Sequence, residues 1–126
     1  MSTMSKRNVV HVEIPAADAK AAGTFYQDLF GWKIHHAAEF DYTMWEDGSG
    51  YGGGFNKVSD EHPVGQVLVY IDSDDIEADL KRVEELGGTV VTPKTEIPGT
   101  GWFAVFKDPT GNPLALYTSM NPEFNK

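Results

Sequence analysis

The chain has 126 residues, 40% of them apolar and 23% charged, which suits one folded globular domain. Its net charge of −9 argues against nucleic acid as a partner, since that needs a basic stripe. With no cysteine it has no disulfide, thiolate metal site or thiol nucleophile, and no apolar run is long enough to span a membrane.

The opening MSTMSKRNVV carries basic residues but no apolar core, so it does not read as a secretory signal. Tails are expected at 1–7 and 120–126. NVVHVEI (Asn8 to Ile14) is β-branched and predicts a strand ended by Pro15. In AADAKAAGTFYQDLFG, Ala22, Phe25, Tyr26, Leu29 and Phe30 recur at helical spacing, with Asp18 as a possible N-cap and Gly31 suited to the C-terminal end. WKIHH and DYTMWED predict two strands, GSG a turn, and YGGGFNKV a fourth strand weakened by its glycines. SDEHPVG (Ser59 to Gly65) reads as a linker.

The order then recurs. QVLVYID predicts a strand. DDIEADLKRVEELGG predicts a helix with Ile76, Leu80 and Val83 on one face, a capping box from Asp74 and Glu77, and Gly87 at its end. TVVTPKTEI, GWFAVFKD and NPLALYTS predict three more strands. The chain therefore reads as βαβββ twice. Aligning Asp47 with Asp108 also aligns Gly50 with Gly111, Trp45 with Phe106 and Gly54 with Ala115. Neither half can bury both faces of a four-stranded sheet alone, so the halves are expected to pack together. The acidic run DSDDIEADLKRVEE reads as a solvated helix face, or as attraction for a cationic ligand.

With HVEIPAADAKAAGTFYQDLFGW and PGTGWFAVFKDPTGNPLALY as its most telling stretches, the sequence resembles the vicinal oxygen chelate superfamily. That superfamily includes glyoxalase I, bleomycin-resistance proteins and extradiol dioxygenases. The resemblance implies an α+β fold, two βαβββ repeats forming a cupped mixed sheet with helices on the outer face. It implies a single domain over 8–119, with repeats at 8–58 and 65–119.

Metal-dependent members take two ligands from each half. By resemblance these positions are His11, Gly54, Gln66 and Ala115 here. His11 can ligate and Gln66 can do so weakly, but Gly54 and Ala115 offer no side-chain donor. A divalent ion wants about four to six donors with offsetting charge. No metal residues and no cofactor are therefore expected, with a weak divalent ion at His11 and Gln66 left open.

Side chains two apart in a strand share a face. His11 and Glu13 then face the cup together, and the carboxylate could orient the imidazole as a general base. Closing the second hairpin between Lys107 and Asn112 sets Phe106 opposite Pro113 and Trp102 opposite Tyr117. The equivalent first hairpin sets Trp45 opposite Gly52 and Thr43 opposite Gly54. The expected cup is lined by the catalytic pair His11 and Glu13, by Thr43, and by the ligand-binding residues Trp45, Gln66, Tyr70, Trp102, Phe106 and Tyr117. Gly52, Gly54, Ala104 and Ala115 leave room in its middle. Each aromatic has core packing as its plain alternative, and His11 and Glu13 could simply satisfy each other. His35 and His36 are adjacent in a strand, so they point apart; His62 sits in the linker; GYGGG lacks the Lys-Ser/Thr of a phosphate loop.

Three functions fit. The first is binding of a small organic molecule in the aromatic cup without metal. The second is a metal-independent isomerase or lyase using His11 and Glu13. The third is a metal-dependent glyoxalase-like lyase or dioxygenase, which lacks its carboxylates here. The resemblance adds a homodimer in a bacterial cytosol, with no nucleic acid or membrane as partner.

Overall fold

A computed structural model describes residues 7–120 and shows an α+β chain in two compact units. The tails expected at 1–7 and 120–126 lie, apart from Arg7 and Met120, outside the described residues. Val10–Leu68 makes up one unit; residues 69–120, with Arg7, Asn8 and Val9, make up the other.

The first unit follows the predicted order. It holds β1 (Val9–Glu13), α1 (Ala19–Phe30), β2 (Lys33–Ala37), a 3₁₀ turn (Ala38–Phe40), β3 (Tyr42–Glu46) and β4 (Gly52–Gly54). The 3₁₀ turn carries no sequence signal of its own. Asp18 caps α1 by accepting the Ala21 N–H at 3.0 Å, and Gly31 ends it at φ 75. The strands run β2-β3-β4-β1, with β1 parallel to β4 and the other pairs antiparallel. Parallel β1 and β4 cannot be joined by a tight hairpin, and α1, β2 and β3 fill the connection. Tyr26 of α1 stacks on Phe55 and Trp32, and Trp32 stacks on Trp45 with centroids 4.2 Å apart. This aromatic column is the packing between α1 and the sheet.

The second unit repeats the plan with β5 (Leu68–Asp72), α2 (Ile76–Glu85), β6 (Thr89–Ile97), β7 (Gly101–Lys107) and β8 (Pro113–Ser119). Its order is β5-β8-β7-β6, with β5 parallel to β8. Asp75, one residue past the expected Asp74, caps α2 by accepting the Ala78 N–H at 3.0 Å. Ile76 and Leu80 pack with Ala104 and Leu116, and Ile71, Val90, Trp102 and Phe106 surround them. Burying an aliphatic side chain of this kind contributes about 1.5–3 kcal/mol. Arg7, expected in a tail, is anchored to this unit instead. Its guanidinium grips Asp79 with two bonds of 2.7 Å and holds that carboxyl below the usual carboxylate range.

Both hairpins are shifted by one residue from the expected register. Met44, not Thr43, pairs with Gly54, and Trp45 pairs with Gly53. Phe106 pairs with Leu114 and Phe103, not Trp102, with Tyr117. The cause is the aspartate that opens each turn. Asp108 Oδ1 accepts the N–H groups of Thr110, Gly111 and Asn112, while Asp108 N–H donates to Asn112 O at 2.9 Å. Asp47 does the same work for Ser49 and Tyr51. Gly50 (φ 95) and Gly111 (φ 108) turn the chain in the left-handed region. Asp108 therefore belongs inside the loop, and the strands begin to pair at Lys107 and Pro113.

Candidate functional site

A one-residue slip moves every side chain of a strand to the other face. Three of the expected ligand-binding residues change sides for this reason. Trp45 is buried against Trp32 under α1. Trp102 and Phe106 pack on the α2 core, and Lys94 Nζ lies 5.1 Å from the Trp102 ring centre. Thr43 is also on the helix side, buried and hydrogen-bonded to His36 Nδ1 at 3.0 Å. In the second unit the helix-free face carries Tyr70 and Tyr117. Tyr70 pairs with Ala115, while its neighbour Ile71 points into the α2 core. The Tyr117 hydroxyl donates to Thr100 O at 3.3 Å, and burial pushes its phenol up from the usual value. Gln66 is half-buried just before β5, with its N–H on Pro63 O.

The same slip brings a residue that the sequence reading missed onto the face of His11 and Glu13. Tyr42 of β3 sends its hydroxyl between them. It lies 2.8 Å from His11 Nε2 and donates to Glu13 Oε2 at 2.6 Å. His11 and Glu13 themselves are 3.9 Å apart. The expected pair is thus a trio bridged by a phenol. All three side chains are drawn partly out of water, with 30% of the His11 side chain and 13% of the Glu13 side chain exposed. Burial lowers the His11 pKa, and Glu13 opposes that shift. The register that brings Tyr42 here is set by the folded turn, where Asp47 Oδ1 accepts the Ser49 and Tyr51 N–H groups.

Tyr42 reaches this place because Gly54 leaves it empty. A Cβ on Gly54 would stand 1.8 Å from the Tyr42 hydroxyl oxygen. The other glycines of β4 have backbone reasons. A Cβ on Gly53 would meet Val12 O at 1.7 Å, and one on Gly52 would meet Trp45 O at 2.7 Å. The strand is three glycines because its neighbours press on both edges and a phenol covers its face.

This arrangement bears on the metal set of the resemblance. The space into which a ligand on β4 would project is filled by Tyr42, and Ala115 is fully buried with no donor. His11 Nε2 is engaged by the Tyr42 phenol, with one carboxylate, that of Glu13, 3.9 Å away. The residues present do not fit that four-ligand site. Among the described residues, no group of three or more His, Asp or Glu side chains gathers as metal ligands would. Two other histidines have partners of their own. His36 faces Thr43 and Asp41, and His62 closes a turn with Ser59.

Comparison with known proteins now places the chain. A glyoxalase-like domain family matches residues 10–117, and the chain belongs to that family. Its fold is that of the vicinal oxygen chelate superfamily. A glyoxalase/bleomycin resistance protein/dioxygenase superfamily member from Vibrio splendidus 12B01 superposes with a TM-score of 0.64 at 16% identity, over 86% of this chain and 97% of that one. A glyoxylase-like domain-containing protein of Didymella fabae is 32% identical over 85% of this chain and 90% of its own length. The anthracycline biosynthesis protein DnrV of Streptomyces peucetius is 30% identical over 83% of this chain. The match covers 44% of DnrV, so the chain spans less than half of that relative.

Proposed function

We propose that this protein binds a small oxygenated aromatic molecule, with His11, Tyr42 and Glu13 as the polar anchors. The observation that carries the reading is the phenol bridge. It leaves a partly exposed, hydrogen-bonding trio where the metal-dependent relatives would hold an ion. Polar groups of this kind fix the orientation of a ligand whose affinity comes from apolar contact. The likeness to an anthracycline biosynthesis protein supports a fused-ring ligand class. A homodimer in the cytosol completes the proposal. Exposed Phe25, Leu29 and Phe30 on α1 support the homodimer. No helix among the described residues is long and apolar enough to cross a membrane.

The test is a fluorescence titration with an anthracycline such as daunorubicin, in EDTA. Saturable quenching is expected, weakened about tenfold in Tyr42→Phe, which corresponds to about 1.4 kcal/mol. Quenching that never saturates, or that Tyr42→Phe leaves unchanged, would sink the reading. A second reading, metal-independent isomerase or lyase chemistry, is favoured by one observation: His11 sits on a hydrogen-bond chain ending in a carboxylate.

A further inference from the structure

Among the described residues, three buried side-chain atoms have no hydrogen-bond partner: Nε1 of Trp45, and both Nδ2 and Oδ1 of Asn56. The Trp45 nitrogen lies under α1, where Trp32 stacks on its ring. Asn56 differs, because its whole functional group is unpaired. A primary amide has two N–H donors and a carbonyl acceptor, and leaving it unmet away from water destabilises the fold. Such a group, where it persists, marks strain or a binding role.

The backbone fixes which way this side chain faces. Beyond β4 the chain stays paired to the residues that follow β1. Ile14 N–H donates to Gly54 O at 3.0 Å, Ala16 N–H donates to Asn56 O at 2.8 Å, and Ala16 bridges Lys57 in parallel. This spacing of two keeps residues 54–56 extended, so Asn56 faces the same way as Gly54. Phe55, between them, faces the other way and stacks on Tyr26 of α1. Position 54 faces the Tyr42 hydroxyl, which bonds His11 and Glu13. Asn56 therefore stands one strand step, about 7 Å, along from the trio on the same face.

We propose that Asn56 is a further ligand-binding residue of this site, its amide unpaired in the free protein and paired by the bound molecule. This rests on the binding reading given above. The residue as a whole is half-buried, so rotation about its side-chain bonds carries the amide toward the ligand. The amide joins an acceptor and a donor on one carbon, which matches a ligand with a hydroxyl beside a carbonyl. The hydroxyl donates to Oδ1, and the carbonyl accepts from Nδ2–H. The ligand class is thus an aromatic hydroxy ketone that spans about 7 Å, from the trio to Asn56. An analogue lacking either group leaves part of the amide unpaired and binds less well.

Two variants test this, Asn56→Leu and Asn56→Ala, each read with and without daunorubicin. Without ligand, Asn56→Leu is expected to raise Tm by about 3 °C, because an unpaired buried group is gone. If the extra bulk of leucine offsets that gain, Asn56→Ala is expected to leave Tm unchanged. A Tm that falls in both would mean that the amide supports the fold, and would overturn the proposal. With daunorubicin, quenching should need about tenfold more ligand in both variants. Wild-type affinity in the variants would overturn the proposal and leave the binding reading standing. Wild-type protein that shows no saturable quenching would remove both.

Discussion

At the residue scale, the behaviour of His11 follows from its surroundings. Burial disfavours the charged imidazolium more than Glu13 favours it, so the folded-state pKa lies below the usual value of about 6.5. Between that lower value and about 6.5, unfolding takes up a proton. Stability is therefore full above pH 6.5 and falls as the pH drops through that window. The slope is at most about 1.4 kcal/mol per pH unit, the limit for one proton. Urea unfolding from pH 7.5 down to 5.5 should show this loss, and His11→Asn should flatten it. An unchanged slope in the variant would assign the pH dependence elsewhere. His11 and Glu13 were legible in the sequence because alternation along one strand needs no long-range information. Tyr42 was not, because a hydroxyl arriving from another strand depends on register.

At the element scale, register is decided by two turns. The carboxyl of Asp108 is held below the usual range, first by the Asn112 N–H and also by Gly111 and Thr110. Asp47 is lowered in the same way, first by the Ser49 N–H. Each carboxylate organises three or more loop groups and sets how many residues the loop holds. Asp108→Ala removes the acceptor. Amide hydrogen exchange at Thr110, Gly111 and Asn112 should then quicken, while exchange in α2 stays as it was. Equal protection in both proteins would show that the loop closes without the carboxylate. The strands and helices themselves were readable from periodicity and from caps such as Asp18 and Gly31. The pairing was not, because Asp-Pro-Thr-Gly-Asn permits closure at either Asn112 or Pro113, and only the hydrogen bonds of Asp108 distinguish them. That one-residue ambiguity, with its counterpart at the Asp47 turn, moved Trp102, Phe106 and Trp45 from the expected ligand face into the packing under the helices.

At the scale of the whole molecule, the duplication was the most legible feature, since spacing and turn residues recur in both halves. The second half preserves it down to the aspartate-closed turn and the parallel pairing of first and last strands. The chain also carries an excess of acid, 19 Asp and Glu against 10 Lys and Arg. Arg7 and Arg82 each pair with a carboxylate, Asp79 and Glu85. Like charges on a compact body repel, and salt screens them over about 10 Å at 0.1 M. Raising NaCl from 0.02 to 0.5 M at pH 7.5 should raise Tm by a few degrees, as differential scanning calorimetry can read. A fall in Tm would mean that specific ion pairs such as Arg7–Asp79 outweigh the general repulsion.

The tight fit of the Tyr42 hydroxyl over Gly54 also constrains how this site can change by mutation. A glutamate placed at position 54 while the tyrosine remains collides with the phenol. Removing the tyrosine first takes from His11 and Glu13 the hydroxyl that they share. The two positions are therefore coupled. A library randomising position 54 alone would return glycine, and carboxylates would emerge there only when position 42 varies with it.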